Sequence, residues 1–492
     1  MSLINISGLT FAYDGSYDSV FEEVSFQIDT DWKLGFTGRN GRGKTTFLNL
    51  LLGKYEYQGT ISSSVCFDYF PFEVADKMKN TIDIIENICT DYQLWELNRE
   101  LSLLDVSEDV LYRPFYTLSN GEQTKVLLAG LFLKGNNFLL IDEPTNHLDS
   151  DARRLVSNYL KLKKGFILVS HDRQFLDDCI DHIIAINKQN IEIQRGNFSS
   201  WWDNKEMQDN YELAQNRKLQ RDIDTLSEAS KRTAAWSDKI ERGKNGSLVS
   251  GIKADKGHAG HQAAKMMKRS KSTEARKQNA MQEKAKLLKN IETADKLLIK
   301  PRVYHANRLL ELSDISIRYN QNLVCENVNF TVNQGERVAL RGKNGSGKSS
   351  ILKLVLGEDI PFEGSLLKGS NLVISYIGQD TSFLSGTLDE FAINERIDKS
   401  VFKSMLRKLD FSRTQFDKDM SDFSDGQKKK VLLARSLCEQ AHLYIWDEPL
   451  NFVDVISRIQ IENLVVAYQP TMIFVEHDQS FVDGIATKNV SI

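Results

Sequence analysis

Six short apolar runs punctuate this chain, and they come in three matched pairs: Lys33–Thr37 with Arg337–Arg341, Phe138–Ile141 with Leu443–Trp446, and Phe166–Ser170 with Met472–Glu476. Continuous apolar runs of this length predict strands buried on both faces, and hence an α/β core with a largely parallel sheet. Residues 204–300 follow a different pattern. They hold no proline and few β-branched residues, and they are rich in the helix formers Glu, Gln, Lys, Ala and Leu. Their glycines are confined to Gly243, Gly246, Gly251, Gly257 and Gly260. This predicts a hairpin of one helix over about 204–242, a glycine-rich tip, and a return helix over about 262–298 that Pro301 ends. Each arm would reach roughly 55–60 Å at ~1.5 Å per residue.

The paired strands lead into paired loops, and the pairs keep nearly constant offsets. Tyr13 and Tyr319 are 306 apart, Gly38 and Gly342 304, Asp142 and Asp447 305, His171 and His477 306. A near-constant offset over separate motifs predicts a duplicated domain. The organisation expected is a first nucleotide-binding domain over 1–203, a helical-hairpin linker over 204–300 with its tip near 243–261, and a second domain over 301–492.

Charge sharpens this picture. The net charge of −4 conceals a basic limb, since residues 231–290 hold 16 Lys or Arg against 5 Asp or Glu. That segment carries +11 and leaves −15 for the rest, which predicts a polyanionic partner met by the limb alone. No run approaches the ~18 apolar residues that span a bilayer. The N-terminal MSLINISGLTF lacks the basic flank and long apolar stretch of a signal peptide. Five scattered cysteines without metal-type spacing read as reduced core residues of a cytoplasmic protein.

The chemistry lies in the loops. Gly38-Arg39-Asn40-Gly41-Arg42-Gly43-Lys44-Thr45-Thr46 and Gly342-Lys343-Asn344-Gly345-Ser346-Gly347-Lys348-Ser349-Ser350 are P-loops. Their glycines let backbone N–H groups close on phosphates at a helix N-terminus, where the helix dipole also favours anions. Lys44 and Lys348 would reach the β- and γ-phosphates of ATP, and Thr45 and Ser349 would bind Mg²⁺. Asp142 and Asp447 end their strands as further metal ligands. Glu143 and Glu448 follow at once and suit the general base that activates water. His171 and His477 are placed to meet the γ-phosphate, and Tyr13 and Tyr319 to stack on adenine.

These motifs resemble those of the ATP-binding cassette superfamily. The segments carrying Ser119, Gly121 and Glu122, and Ser424, Gly426 and Gln427, resemble its signature, usually LSGGQ. The resemblance implies two tandem cassettes joined by the helical linker, with two composite sites: Gly38–Thr46 facing the second signature, and Gly342–Ser350 facing the first. ATP would join the domains and hydrolysis release them. Gln379 matches the family's metal-binding Q-loop glutamine, whereas Phe72 stands at its counterpart in Tyr69-Phe-Pro-Phe72 and cannot ligate Mg²⁺. Leu450 and Phe452 replace Thr145 and His147, and Asn120 and Asp425 replace the first signature glycine. Two sites with unequal hydrolysis are expected.

Two cassettes, no membrane span and a long basic linker together resemble the ABC-F family, whose members act on ribosomes. Overall length, the long linker tip and the chain's end fifteen residues beyond His477 resemble its Lsa-type antibiotic-resistance members. The interval from Phe72 to the first signature leaves no room for the extra arm helices of housekeeping members. The resemblance implies a partner in the bacterial 70S ribosome, with the linker against 23S rRNA and P-site tRNA. It also implies a monomer with intramolecular pairing of its cassettes, and protection against lincosamides, streptogramins A and pleuromutilins. Trp236, Lys244, Leu248, Lys253, Lys256 and His258 are the candidate RNA contacts. A housekeeping ABC-F translation factor is the alternative; a transporter subunit would leave the basic limb unexplained.

Overall fold

The computed structural model of the chain describes residues 2–14, 19–146, 148–186, 191–243, 275–276, 279, 297–319 and 322–492. The chain divides into two compact units, one holding Met1–Trp201 with Ala294–Ile492 and the other Trp202–Thr293. Both cassettes lie in the first unit.

In the first cassette, β1 (Leu3–Phe11) pairs antiparallel with β2 (Phe21–Asp29) and with β4 (Gln58–Ser62). The main sheet runs β5 (Cys66–Phe70), β6 (Asn137–Asp142), β7 (Phe166–Val169), β3 (Lys33–Thr37), β8 (His182–Ile186) and β9 (Ile191–Arg195). All its pairings are parallel except β8 with β9. The second cassette repeats the plan. Its antiparallel sheet is β11 (Asn322–Asn333), β10 (Arg308–Tyr319) and β13 (Phe362–Lys368). Its parallel sheet is β14 (Ile374–Ile377), β15 (Leu443–Asp447), β16 (Met472–Val475), β12 (Arg337–Arg341) and β17 (Lys488–Ser491).

The six predicted runs are the central strands β3, β6, β7, β12, β15 and β16, and every residue of β7 and β16 is buried. Helices therefore cover both faces. The P-loop helix Lys44–Leu51 packs Phe47 and Leu48 against Phe36 and the small sheet, and Lys348–Leu356 does the same with Ile351 and Leu352. The antiparallel sheets were not expected. Their strands alternate buried and exposed residues, so they lack the continuous apolar runs that marked the core.

The linker helix spans Phe198–Gly243, 46 residues or about 70 Å at 1.5 Å per residue. It starts earlier than the predicted 204 because Phe198 and Trp201 are buried, while the Asn197 side chain accepts from the Ser200 N–H at 3.1 Å and caps the first turn. Beyond Gly243, which closes this helix, the predicted tip lies outside the described residues. So does the predicted return helix apart from Ala275, Arg276 and Asn279, which are helical, and Leu297 and Leu298, which are not. Among the described residues no helix is long and apolar enough to cross a membrane. Cysteines 89, 179 and 325 are buried as expected, but Cys66 is exposed, because it opens the edge strand β5.

Candidate nucleotide sites

Each P-loop leaves its strand and turns into its helix through a glycine in the left-handed region, Gly43 at φ 93° and Gly347 at φ 96°. A Cβ there would also stand 2.5 Å from Val20 Cγ1 or 2.9 Å from Val324 Cγ1, so glycine is required twice over. The loop lysines are buried and turned onto their own loops. Lys44 Nζ donates to Gly38 O at 2.6 Å and to Arg39 O at 3.3 Å; Lys348 Nζ donates to Gly342 O and Lys343 O, both at 2.8 Å. Burial lowers both lysine pKa values, against the pull of the acids around them, Asp454, Glu143 and Asp142 for Lys44 and Glu448, Asp447 and Asp149 for Lys348. The hydroxyl of Tyr13 lies 2.6 Å from Thr46 Oγ1 and that of Tyr319 donates to Ser350 Oγ at 3.3 Å, with both rings half-exposed beside the P-loop helices.

The head-to-tail pairing is visible in both sites. A cavity of about 850 Å³ is lined on one side by Ser119, Gly121 and Glu122, and on the other by Lys343–Gly345, Gly347–Ser350, Gln379, Glu448 and His477. At the opposite site the partners touch directly. Asn40 Nδ2 donates to Phe452 O at 2.9 Å, and a Cβ on Gly426 would be 3.1 Å from that same nitrogen. Arg39 and Arg42 reach Asp410 at 3.3 and 3.5 Å. Asp105, the counterpart of Asp410, lines the large cavity instead.

Glu122 and Gln427, expected at the nucleotide, turn their side chains back. Glu122 Oε2 accepts from the Ser119 N–H and hydroxyl, both at 2.8 Å, and Gln427 Oε1 accepts from the Ser424 N–H at 3.0 Å. Serine followed three residues later by Glu or Gln is a capping box, which starts the helices Asn120–Phe132 and Asp425–Cys438. The signature brings its serine, its glycine and a helix N-terminus to the site, and in the first signature Glu122 lines the cavity beside them.

The acids behave differently in the two cassettes. Glu143 and Glu448 both sit in the left-handed region, at φ 49° and 50°, a strained backbone typical of working sites. His171 Nε2 is 3.5 Å from Glu143 Oε1, and His477 Nε2 is 3.4 Å from Glu448 Oε1. Burial, reinforced by Asp142, pushes the Glu143 carboxyl up to about 8. Burial likewise holds His171 well below its usual range, helped by Lys44 and Arg458. Burial opposes ionisation of Glu448 too, but hydrogen bonding from His477 and Asn451 outweighs it and brings that carboxyl below the usual range. Asn451 Nδ2 donates to Glu448 Oε2 at 2.6 Å.

Gln379 Nε2 lies 3.0 Å from Asp447 Oδ1, 3.1 Å from Glu448 Oε1 and 3.4 Å from Ser349 Oγ. Rotating the amide by 180° presents its oxygen in the same place. Carboxylate, hydroxyl and amide oxygens are the hard donors Mg²⁺ prefers, and burial raises the Asp447 pKa, a penalty a cation would relieve. Ser349, Asp447 and Gln379 therefore fit the metal. In the first cassette Thr45 Oγ1 donates to Asp142 Oδ2 at 3.3 Å, Phe72 offers no ligand, and Tyr69 donates its hydroxyl to the same Oδ2 at 2.9 Å.

Tyr69 was not anticipated, nor was an arginine in each cassette, buried in the second and half-buried in the first. Arg153 bonds Leu148 O at 3.1 Å and Asp172 Oδ2 at 2.9 Å; Arg458 bonds Val453 O at 2.9 Å and Asp478 Oδ2 at 3.1 Å. Each ties the loop after the Asp-Glu pair to the residue following the histidine. Their sequence signal is the common offset, 305 for the arginines and 306 for the aspartates. Trp236 falls within the linker helix, its side chain outside what is described, and Lys244, Leu248, Lys253, Lys256 and His258 lie outside the described residues.

Comparison with known proteins agrees with this geometry. The family described as ABC transporter matches residues 21–146 and 325–451. The ribosome protection protein VmlR of Bacillus subtilis (strain 168) is 27% identical over 501 residues, covering 100% of this chain and 86% of that protein. ATP-binding protein Uup of Buchnera aphidicola subsp. Acyrthosiphon pisum (strain APS) is 27% identical over 521 residues, covering 99% and 80%. The archaeal ribosome recycling factor aABCE1, solved with ribosomal stalk protein aP1, shares the fold at a TM-score of 0.62 and 18% identity, over 98% of this chain and 87% of that one. Duplicated P-loops, paired signatures and the family match lead to one conclusion: the chain belongs to the ATP-binding cassette family, in its ABC-F branch, and is an ATPase.

Proposed function

We propose that this ATPase protects the bacterial ribosome from antibiotics. ATP held between each P-loop and the opposite signature closes the cassettes. The closed protein enters the ribosomal exit site and sets its basic linker against P-site tRNA and 23S rRNA. Drugs bound near the peptidyl-transferase centre, namely lincosamides, streptogramins A and pleuromutilins, then leave, and hydrolysis releases the protein to the cytoplasm. The observation that carries the closure step is the cavity shared by the first signature and the second P-loop. The ribosomal partner is supported by likeness to VmlR along the whole chain and by the +11 charge of residues 231–290, which suits phosphate contacts that position without reading sequence.

At the second site the loop amides from Gly342 to Ser350 and Lys348 bind the phosphates, and Tyr319 stacks on the base. Glu448 accepts the proton of the attacking water, and His477, 3.4 Å from it, orients the γ-phosphate. Mg²⁺ on Ser349, Asp447 and Gln379 would neutralise phosphate charge. The first site uses Gly38–Thr46, Tyr13, Glu143 and His171, with Thr45 and Asp142 toward the metal, and turns over more slowly. The protein acts as a monomer.

A translation factor without a drug role is the second reading, favoured by the equal identity to Uup, whose name carries no such role. Growth inhibition of a susceptible bacterium, with and without the protein, separates the two. Raised tolerance to a lincosamide, a pleuromutilin and a streptogramin A, but not to a cell-wall drug, is expected. No shift for any drug, with expression verified, would establish the second reading.

A further inference from the structure

The second cassette carries a buried lysine that the first lacks. Lys429 stands on the signature helix Asp425–Cys438, five residues after Ser424, where the first cassette has Thr124 at the common offset of 305. Its side chain is buried, and its Nζ donates to the carbonyl of Gly378 at 2.9 Å. Gly378 immediately precedes Gln379, whose amide spans Ser349, Asp447 and Glu448. The ammonium also faces Glu476, Glu448 and Asp447, which offset the burial that lowers its pKa.

Burying an ammonium is unfavourable, and packing at this position does not require one, since Thr124 serves at the matching position of the first cassette. What the lysine gains is a charge-assisted bond to one carbonyl, stronger than a neutral one. Glycine leaves the turn at 378 without a side chain to brace it, so an external donor fixes where the next amide points. The two halves of the chain support the connection independently. Lys429 and Gln379 occur together in the second cassette, and both are absent from the first, which has Thr124 and Phe72. There the strand-end aspartate is met by Tyr69 instead.

We propose that Lys429 is a positioning residue of the second hydrolytic site, holding the Gly378 carbonyl so that the Gln379 amide stays over Ser349, Asp447 and Glu448. The inference rests on the reading of Glu448 as the base of that site. A threonine at 429 is too short to reach Gly378, and the amide would then sample positions away from the acids.

The test uses the full-length protein carrying Glu143→Gln, so that steady-state turnover reports the second site. Lys429→Thr is expected to lower kcat about tenfold with KM for ATP changed less than about twofold, the pattern of lost positioning rather than lost binding. In a protein already carrying Gln379→Ala, Lys429→Thr should cause no further loss, because its action passes through that amide. Lys429→Arg, which keeps a charged donor, should retain turnover within about threefold. An unchanged kcat, or the same loss with and without Gln379, would overturn the proposal, since a purely structural lysine acts regardless of residue 379. If threonine prevents folding, Lys429→Met keeps the side chain's length without its donor and carries the same expectations. Undiminished turnover in a protein with both Glu143→Gln and Glu448→Gln would instead overturn the reading of Glu448, and this inference with it.

Discussion

The two composite sites are built from one duplicated plan and end up unlike. The second P-loop and first signature enclose about 850 Å³, with Gln379 joined to both acids and Glu448 held ionised. The first P-loop is packed onto the second cassette through Asn40, Arg39 and Arg42, Phe72 replaces the glutamine, and Glu143 stays neutral up to about pH 8. A base must be ionised to take a proton, so identical motif residues do not give identical sites. What differs is the surroundings: which hydroxyl or amide meets the strand-end aspartate, and how tightly the opposite cassette covers the loop.

The halves also differ in how the helical segment before each signature is anchored. In the first, buried Glu100 accepts from Tyr159 at 2.7 Å, from Arg99 at 3.0 Å and from Lys163; in the second the positions of Glu100 and Tyr159 hold Met405 and Leu464, members of one apolar core. The largest effect is expected here. Glu100→Gln leaves Lys163 without its counter-charge and should cost about 3 kcal/mol in unfolding experiments, whereas Met405→Leu, a volume-conserving apolar swap, should cost under about 1.5 kcal/mol. Equal losses would show that the polar anchor is incidental. The sign with pH follows from the shift: hydrogen bonds from Lys163 and Tyr159 outweigh burial and hold the Glu100 carboxyl below its usual range. Its stabilisation is therefore present above the unfolded-state pKa and fades as pH falls through the folded-state value.

Next comes the glutamine. Giving the second site the first site's residue, Gln379→Phe, should lower turnover about tenfold in a Glu143→Gln background. The reverse change, Phe72→Gln in a Glu448→Gln background, should alter first-site turnover by a few-fold. Unchanged rates in both proteins would remove residue 72/379 from the comparison. In the Glu448→Gln protein, residual turnover should rise about tenfold from pH 7 to 9 as Glu143 ionises, while the Glu143→Gln protein shows no such rise. A flat profile would mean that nucleotide binding resets the carboxyl. The smallest effect concerns the closed side. Asp410→Asn removes the charge that Arg39 and Arg42 share, and should cost about 1 kcal/mol, seen as a slightly lower melting temperature. No change would mark those ion pairs as neutral.

Much of this was legible because the chemistry is carried by ordered motifs on buried strands. Lys44, Asp142, Glu143 and His171 and their second-half counterparts come together because each follows an apolar run, and such runs read clearly. Phe72 against Gln379 likewise showed in the alignment of the halves. The rest depended on geometry that no motif states. Glu122 and Gln427 look like nucleotide contacts, but local capping claims their side chains first. Tyr69 and Tyr376 are identical in sequence position, yet only Tyr69 reaches its strand-end aspartate. Lys429 is hidden in a run of three lysines, where nothing distinguishes it from the half-buried Lys428 and the buried Lys430 until the helix is seen to pack on Gly378. The half-exposed antiparallel strands and the early start of the linker helix escaped for the same reason, since tertiary packing decided them.

The most direct test of unequal sites is to measure steady-state ATP turnover of Glu143→Gln and Glu448→Gln side by side. Glu143→Gln is expected to keep most of the wild-type rate, and Glu448→Gln to lose most of it, by about a hundredfold. Equal losses in the two proteins, or a greater loss from Glu143→Gln, would contradict this expectation.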